Sequence, residues 1–167
     1  MDGTVLVTYA SSHGSTLEVA EAVDAVHREA GVVTALREVS DVHGLEDYGA
    51  VVLGAPIYMM RWHRDARRFL RRHEQELAER PLAVFALGPL HEDEAEWTKA
   101  RSVLNAALAA REVVPVAVGV FGGRVDPGQL RFPFSKMPEE DVRDWQAIAA
   151  WAAELPRLLA PAPAMGV

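Results

Sequence analysis

Compact apolar runs alternate along the chain with segments whose apolar positions recur every three or four residues. The first run, Val5-Leu6-Val7-Thr8-Tyr9-Ala10, stops at Ser11-Ser12-His13-Gly14, as a buried strand feeding a loop does. From residue 15 to 30, Val19, Val23, Val26 and Ala30 keep helical spacing among Glu18, Glu21, Asp24 and Glu29, and Gly31 stands where a helix C-terminus closes. Strands are then predicted over 32–39 and 50–55, the latter closed by Pro56, with 41–48 as a linking segment. Over 62–80 the spacing predicts one helix, with Ala66, Phe69, Leu70, His73 and Leu77 on one face and Arg64, Arg67, Arg68, Arg71 and Arg72 mostly on the other. A strand over 82–87, a helix over 93–111 and a strand over 113–121 follow. Pro138-Glu139-Glu140-Asp141 is expected to open a last helix that runs to about Leu159. Five nearly continuous apolar strands alternating with helices predict an α/β domain, its parallel sheet covered on both faces and its crossovers right-handed.

Bulk properties narrow this only a little. A chain of 167 residues is read as a single domain over 1–160, with a Pro/Ala-rich tail over 161–167 expected to fray. The formal charge of −7 repels polyanions and argues against nucleic acid as a partner. There is no cysteine, which removes disulfides, thiolate nucleophiles and iron–sulfur clusters, so redox chemistry would have to come from a bound cofactor. The six histidines are scattered and form no metal motif. No apolar run approaches bilayer length and no basic segment precedes the first strand, so a cytoplasmic location is expected.

Open parallel sheets bind ligands outside the carboxyl ends of their strands, where the strand order reverses. The loop after the first strand is the richest there. Ser11, Ser12, Ser15 and Thr16 supply hydroxyls, Gly14 lets the backbone pass closely, and a helix N-terminus supplies free amides: the parts of a phosphate cradle. Simple capping of the helix by the same side chains is the alternative. The loop lacks the Gly-Lys pair of a nucleoside-triphosphate P-loop and the three spaced glycines of a dinucleotide fingerprint. The clustered aspartates of a phosphoacceptor domain are also missing.

With these residues in view, the chain resembles the flavodoxins, whose Ser/Thr-x-Thr-Gly-x-Thr loop binds the phosphate of FMN without a cationic side chain. Ser11, Ser12, Gly14 and Thr16 match that loop, and His13 and Ser15 stand at its variable or substituted places. The resemblance continues at Gly54-Ala55-Pro56-Ile57-Tyr58, where flavodoxins carry the aromatic residue that stacks on the isoalloxazine ring. It implies a flavodoxin-like three-layer sandwich, a five-stranded parallel sheet in the order 2-1-3-4-5 with helices on both faces, and bound FMN. Within the superfamily the chain is most similar to the menaquinone-dependent protoporphyrinogen oxidase branch. That likeness rests on Val51-Val52-Leu53-Gly54-Ala55, Ile57, Trp62-His63, Phe69, His73, and Asp144-Trp145 at the opening of the last helix. The segment 124–139 is shorter than the basic, partly apolar insertion of that branch. Its Leu130, Phe132, Phe134 and Met137, beside Arg131 and Lys136, are expected to fold back on the domain or to graze a hydrophobic substrate.

The expected FMN site comprises Ser11, Ser12, His13, Gly14, Ser15 and Thr16 at the phosphate, Pro56, Ile57, Tyr58, Met59 and Trp62 at the ring, and Leu87, Gly88 and Pro89 at the third loop. Either Tyr58 or Trp62 is expected to touch the ring, the other serving as a hydrophobic staple. By family analogy, the amides of the third loop would face the pyrimidine edge, while His91 and Glu92 are surface groups. His13, Arg61 and His63 would bring positive charge near the ring, favouring two-electron chemistry over a low-potential single-electron shuttle; exposed and screened side chains are the alternative. Arg64, Arg67, Arg68 and Arg71 either form a solvated face or receive an acidic partner. The leading function is an FMN-dependent oxidoreductase resembling protoporphyrinogen oxidase, moving electrons between an organic donor and a quinone-like acceptor. The alternatives are a flavodoxin-type electron carrier with a small-molecule or protein redox partner, and a flavin-free binding module. A homodimer is a further expectation.

Overall fold

A computed structural model of the chain describes residues 3–11, 14–91, 93–125 and 140–160. Its elements are β1 (Val5–Tyr9), α1 (Ser15–Glu29), β2 (Thr34–Glu38), a 3-10 turn (Val39–Asp41), β3 (Ala50–Tyr58), β4 (Arg61–Trp62), α2 (Arg64–Arg72), α3 (Glu74–Leu77), β5 (Leu82–Leu87), α4 (Glu94–Ala109), β6 (Ala117–Phe121), β7 (Arg124–Val125), β8 (Glu140–Asp141) and α5 (Trp145–Leu158). The main sheet runs β2-β1-β3-β5-β6 and is parallel throughout, the predicted order once the two-residue β4 takes a number of its own.

Period-two alternation within each strand divides the apolar residues between two cores. Leu6, Val51, Leu53, Val84 and Ala86 face one layer with Phe69, Leu70, Leu104 and Leu108. Val5, Val7, Val52, Ala83 and Phe85 face the other, with Val19 and Val23 of α1 and Ile148, Ala152 and Leu155 of α5. Burial on both faces is the reason these strands read as unbroken apolar runs. In the second layer the rings of Phe85, Phe121 and Trp151 pack edge-on or tilted, with centroids 5.6–6.4 Å apart. Gly54 lies under that cluster, where a Cβ would stand 1.9 Å from Phe85 Cζ. The glycine is there because the ring occupies the space of its side chain.

Four expectations need correction. Pro56 does not close β3: it sits in register with Leu87 while its carbonyl accepts from the His63 amide at 2.9 Å, so the strand runs on to Tyr58. The helix expected over 62–80 is three elements. Trp62 belongs to β4, and the helical stretch breaks at His73 (φ −109°, ψ 22°), whose buried imidazole packs on Phe69 at 4.5 Å between centroids and meets Glu76 Oε1 at 3.1 Å. The fifth parallel strand begins at Ala117, not 113; Pro115, without an N–H, precedes it and Val114 is exposed. The last helix starts at Trp145, because Glu140-Asp141 pairs with β7 and the Asp144 carboxylate accepts the Ala147 amide at 3.0 Å as N-cap. The expectations for 126–139 and for the tail over 161–167 lie outside the described residues.

Candidate functional site

The registers Tyr9↔Gly54, Pro56↔Leu87 and Leu87↔Phe121 bring the ends of β1, β3, β5 and β6 to one edge of the sheet. The order reverses between β1 and β3, so the crevice of an open α/β sheet lies between their loops. Ser11, Gly14, Ser15 and Thr16 enter it from one side and Pro56, Ile57 and Tyr58 from the other.

In the first loop Ser11 Oγ accepts the Gly14 amide at 2.8 Å, which bends the chain back on itself. Gly14 takes φ 84°, a left-handed conformation that costs a side-chain-bearing residue about 1–2 kcal/mol, and occupies the N-cap of α1. The first intrahelical bond runs from Glu18 N to Gly14 O at 3.3 Å, so the amides of Ser15, Thr16 and Leu17 precede the helical ladder. Among the described residues no side chain caps them. The capping alternative thus finds no capping bond for the hydroxyls of Ser11, Ser15 and Thr16 among the described residues. The Thr16 hydroxyl is fully buried and has no hydrogen-bond partner among the described residues. Open amides, the positive end of a fifteen-residue helix, a hydroxyl lacking its bond and a glycine with no Cβ fit a phosphate monoester. Ser12 and His13 lie outside the described residues.

β3 and β4 form a hairpin, Ile57 opposite Trp62 and Tyr58 opposite Arg61, turned by Met59 and Met60 with φ 51° and 66°. Positive φ at both central residues matches the twist of a two-residue hairpin, and it is an unusual demand on two methionines. Tyr58, Met59 and Met60 are 52%, 72% and 50% exposed, an apolar tip at the sheet's carboxyl edge. Trp62 is 1% exposed and donates from Nε1 to the Ala55 carbonyl at 3.0 Å. Of the two aromatics weighed for the ring, Tyr58 is the one accessible to a ligand, and Trp62 fills the hairpin from within.

His63 caps α2, its Nδ1 accepting the Asp65 amide at 3.1 Å. That bond needs a lone pair on Nδ1, and burial lowers the ring's pKa below 6.5 against a smaller opposing pull from Asp65. The imidazole is therefore neutral at pH 7 and does not supply the charge expected of it. Arg67 donates from Nε to the Trp62 carbonyl at 2.9 Å, whereas Arg64, Arg68 and Arg71 are exposed.

The loops after β5 and β6 are laced together. Gly88 N donates to Phe121 O at 3.0 Å and Gly123 N to Pro89 O at 2.8 Å. Leu90 N donates to the Glu96 carboxylate, and Pro89 has no N–H. The amides of Gly88 and Leu90 are thus taken by the protein itself, contrary to the expectation that they face a ligand. Leu87 is buried, and Gly88 abuts Ile57, whose Cδ1 a Cβ at Gly88 would meet at 3.3 Å. The loop after β1, the hairpin and the laced rim are what the fold brings together; Trp62 stays behind them. Sequence reasoning missed the ribbon of β7 and β8, two residues each, which no periodicity can mark. Among the described residues no helix is long and apolar enough to cross a membrane, and no group of three or more His, Asp or Glu side chains is placed to hold a metal.

Oxidised flavodoxin 2 from Bacillus cereus superposes with a TM-score of 0.60 at 18% identity, covering 92% of this chain and 98% of that one. Two-electron reduced flavodoxin from Megasphaera elsdenii gives 0.58 at 15% identity, covering 90% and 98%. Rubredoxin:oxygen oxidoreductase from Desulfovibrio gigas gives 0.56 at 17% identity over 96% of this chain but only 38% of that longer one, so the same fold occurs there as part of a larger chain. No curated protein sequence matches. These likenesses show the fold, and the resemblance to the protoporphyrinogen oxidase branch finds no counterpart among them. The flavodoxin domain family matches by its sequence profile over residues 6–137, which covers the loop after β1, the hairpin and the laced rim, and the chain belongs to that family.

Proposed function

We propose that this chain binds FMN at the carboxyl edge of the sheet and works as a flavodoxin-type electron carrier. The observation that carries this reading is the unpartnered, buried Thr16 hydroxyl beside the amides of Ser15, Thr16 and Leu17 that precede the helical ladder. Ser11, Ser12, His13, Gly14, Ser15 and Thr16 hold the phosphate through hydroxyls and amides. Tyr58, with Pro56, Ile57 and Met59, gives the ring its platform, and Leu87, Gly88 and Pro89 form the facing rim. Bound FMN supplies reversible electron transfer; the chain fixes its position and shields it from water. Membership of the flavodoxin family, with flavodoxins matched over nearly their whole length, favours a carrier that docks transiently with a small-molecule or protein partner.

Titrating FMN with the protein while following flavin fluorescence tests the binding. Saturable quenching at one equivalent is expected; unchanged fluorescence would reject the cofactor and leave the flavin-free module. An oxidoreductase resembling protoporphyrinogen oxidase is the second reading. It is favoured by the exposed apolar tip of Tyr58, Met59 and Met60 beside Arg61, a surface suited to a hydrophobic donor. Steady turnover with a porphyrinogen and a quinone would replace the carrier by that enzyme.

A further inference from the structure

The first turn of α1 carries an acid, Glu18, four residues after the N-cap glycine. An acidic side chain there ordinarily satisfies the positive end of the helix. In this chain it would compete with a phosphate for that end and repel it. Glu18 is instead engaged elsewhere: its Oε1 lies 3.3 Å from Arg124 Nη1 and 3.5 Å from Arg143 Nη1. Arg143 is held on several sides. It grips Asp141 by two parallel bonds, Nε to Oδ1 at 2.9 Å and Nη2 to Oδ2 at 2.8 Å, and donates from Nη1 to the Ser15 carbonyl at 3.3 Å. Its guanidinium lies 4.8 Å from the Trp145 ring centroid, and its side chain is only 4% exposed.

A buried charge is tolerated when it is matched, and Arg143, the buried member of the group, meets both carboxylates, Glu18 and Asp141, with Arg124 beside Glu18. Three of the four come from the β7–β8 ribbon and the residues after it, far along the chain from the phosphate loop. The ribbon thus brings its charge to the one turn of helix where an anion would bind.

We propose that Arg143 is a positioning residue for the phosphate: together with Arg124 it neutralises Glu18 and fixes Ser15, leaving the N-terminus of α1 to attract a dianion. This rests on the FMN reading above. Without Arg143, Glu18 and Asp141 each lose a cationic partner, and the candidate phosphate position becomes more negative by one charge.

Dissociation constants for FMN and for riboflavin, which lacks the phosphate, are measured by flavin fluorescence for the wild type, R143Q, E18Q and the double variant. R143Q is expected to weaken FMN about tenfold while changing riboflavin less than about twofold. Adding E18Q should recover most of the loss, because it removes the charge that Arg143 had balanced. E18Q alone should bind FMN about threefold more tightly than the wild type, and its half-exposed side chain makes it a safe variant to fold. Equal loss of both ligands in R143Q, no recovery in the double variant, or weaker FMN binding by E18Q would overturn the role of Arg143 and leave the FMN site standing. No FMN binding by the wild type would overturn both.

Discussion

The indole of Trp62 and the carbonyl of Ala55 are joined by a 3.0 Å hydrogen bond inside the β3–β4 hairpin, with Tyr58 outside on the exposed tip. The two aromatics therefore have separable roles. W62F should lower stability by about 2–3 kcal/mol through the lost bond and the unfilled volume, read by chemical denaturation. Y58A should change stability by less than about 0.5 kcal/mol but weaken FMN about tenfold, since only an accessible ring loses a stacking partner. Equal stability losses would put both side chains inside the hairpin.

The hairpin turn places Met59 and Met60 at φ 51° and 66°. Left-handed backbone costs an L residue about 1–2 kcal/mol, and glycine escapes most of it. M60G should raise the denaturation midpoint by an amount equivalent to about 1 kcal/mol. A lower midpoint would mean that the Met60 side chain contributes more by contact than its backbone loses.

At Gly54 the phenyl of Phe85 stands where a Cβ would be. G54A should destabilise the domain by about 1–3 kcal/mol or more, and F85L in the same chain should restore part of it by vacating the space. Additive losses in the double variant would show that the two positions do not compete for one volume.

Glu76 links α3 to the segment before β3. Partial burial alone would raise its pKa, but the Leu45 amide, bonded at 2.7 Å, and His73 outweigh that and hold it below 4.5. Asp141 is likewise held below 3.8, first by its bonds from Arg143. Folded-state values below the unfolded ones mean that the stabilisation is present above pH 4.5 and fades as pH falls through the folded pKa values. In an acid titration of stability, E76Q should be less stable than the wild type at pH 7, with the gap closing as pH falls below 4.5 and through the folded-state pKa. A gap that stayed constant down to pH 2 would contradict the depressed pKa.

Much of this architecture was legible because it rests on long-range pattern. The central strands β1, β3 and β5 are buried on both faces and read as apolar runs; the bounds of β5 match the sequence reading and those of α1 differ by one residue, with Gly31 at φ 83° beyond its end. What escaped is short or decided by single contacts. Pro138-Glu139-Glu140-Asp141 has the composition of a helix start, yet Glu140 and Asp141 form a strand, and Asp144 caps the helix instead. The arginine spacing after Trp62 is helical, but Trp62 itself is drawn into β4 by its bond to Ala55. At the site, the hydroxyl-rich turn between β1 and α1 is visible in residue type alone. The neutrality of His63 is not, since it follows from an amide that only the fold brings to Nδ1.

The lacing of Gly88 to Phe121 and of Gly123 to Pro89 turns two loops into one stiff wall. A wall whose amides are already bonded within the protein needs less ordering to face a ligand, which limits the entropy lost on binding. Adjustment to the shape of a ligand then falls to the opposite bank, where Tyr58 and its two methionines are half or more exposed.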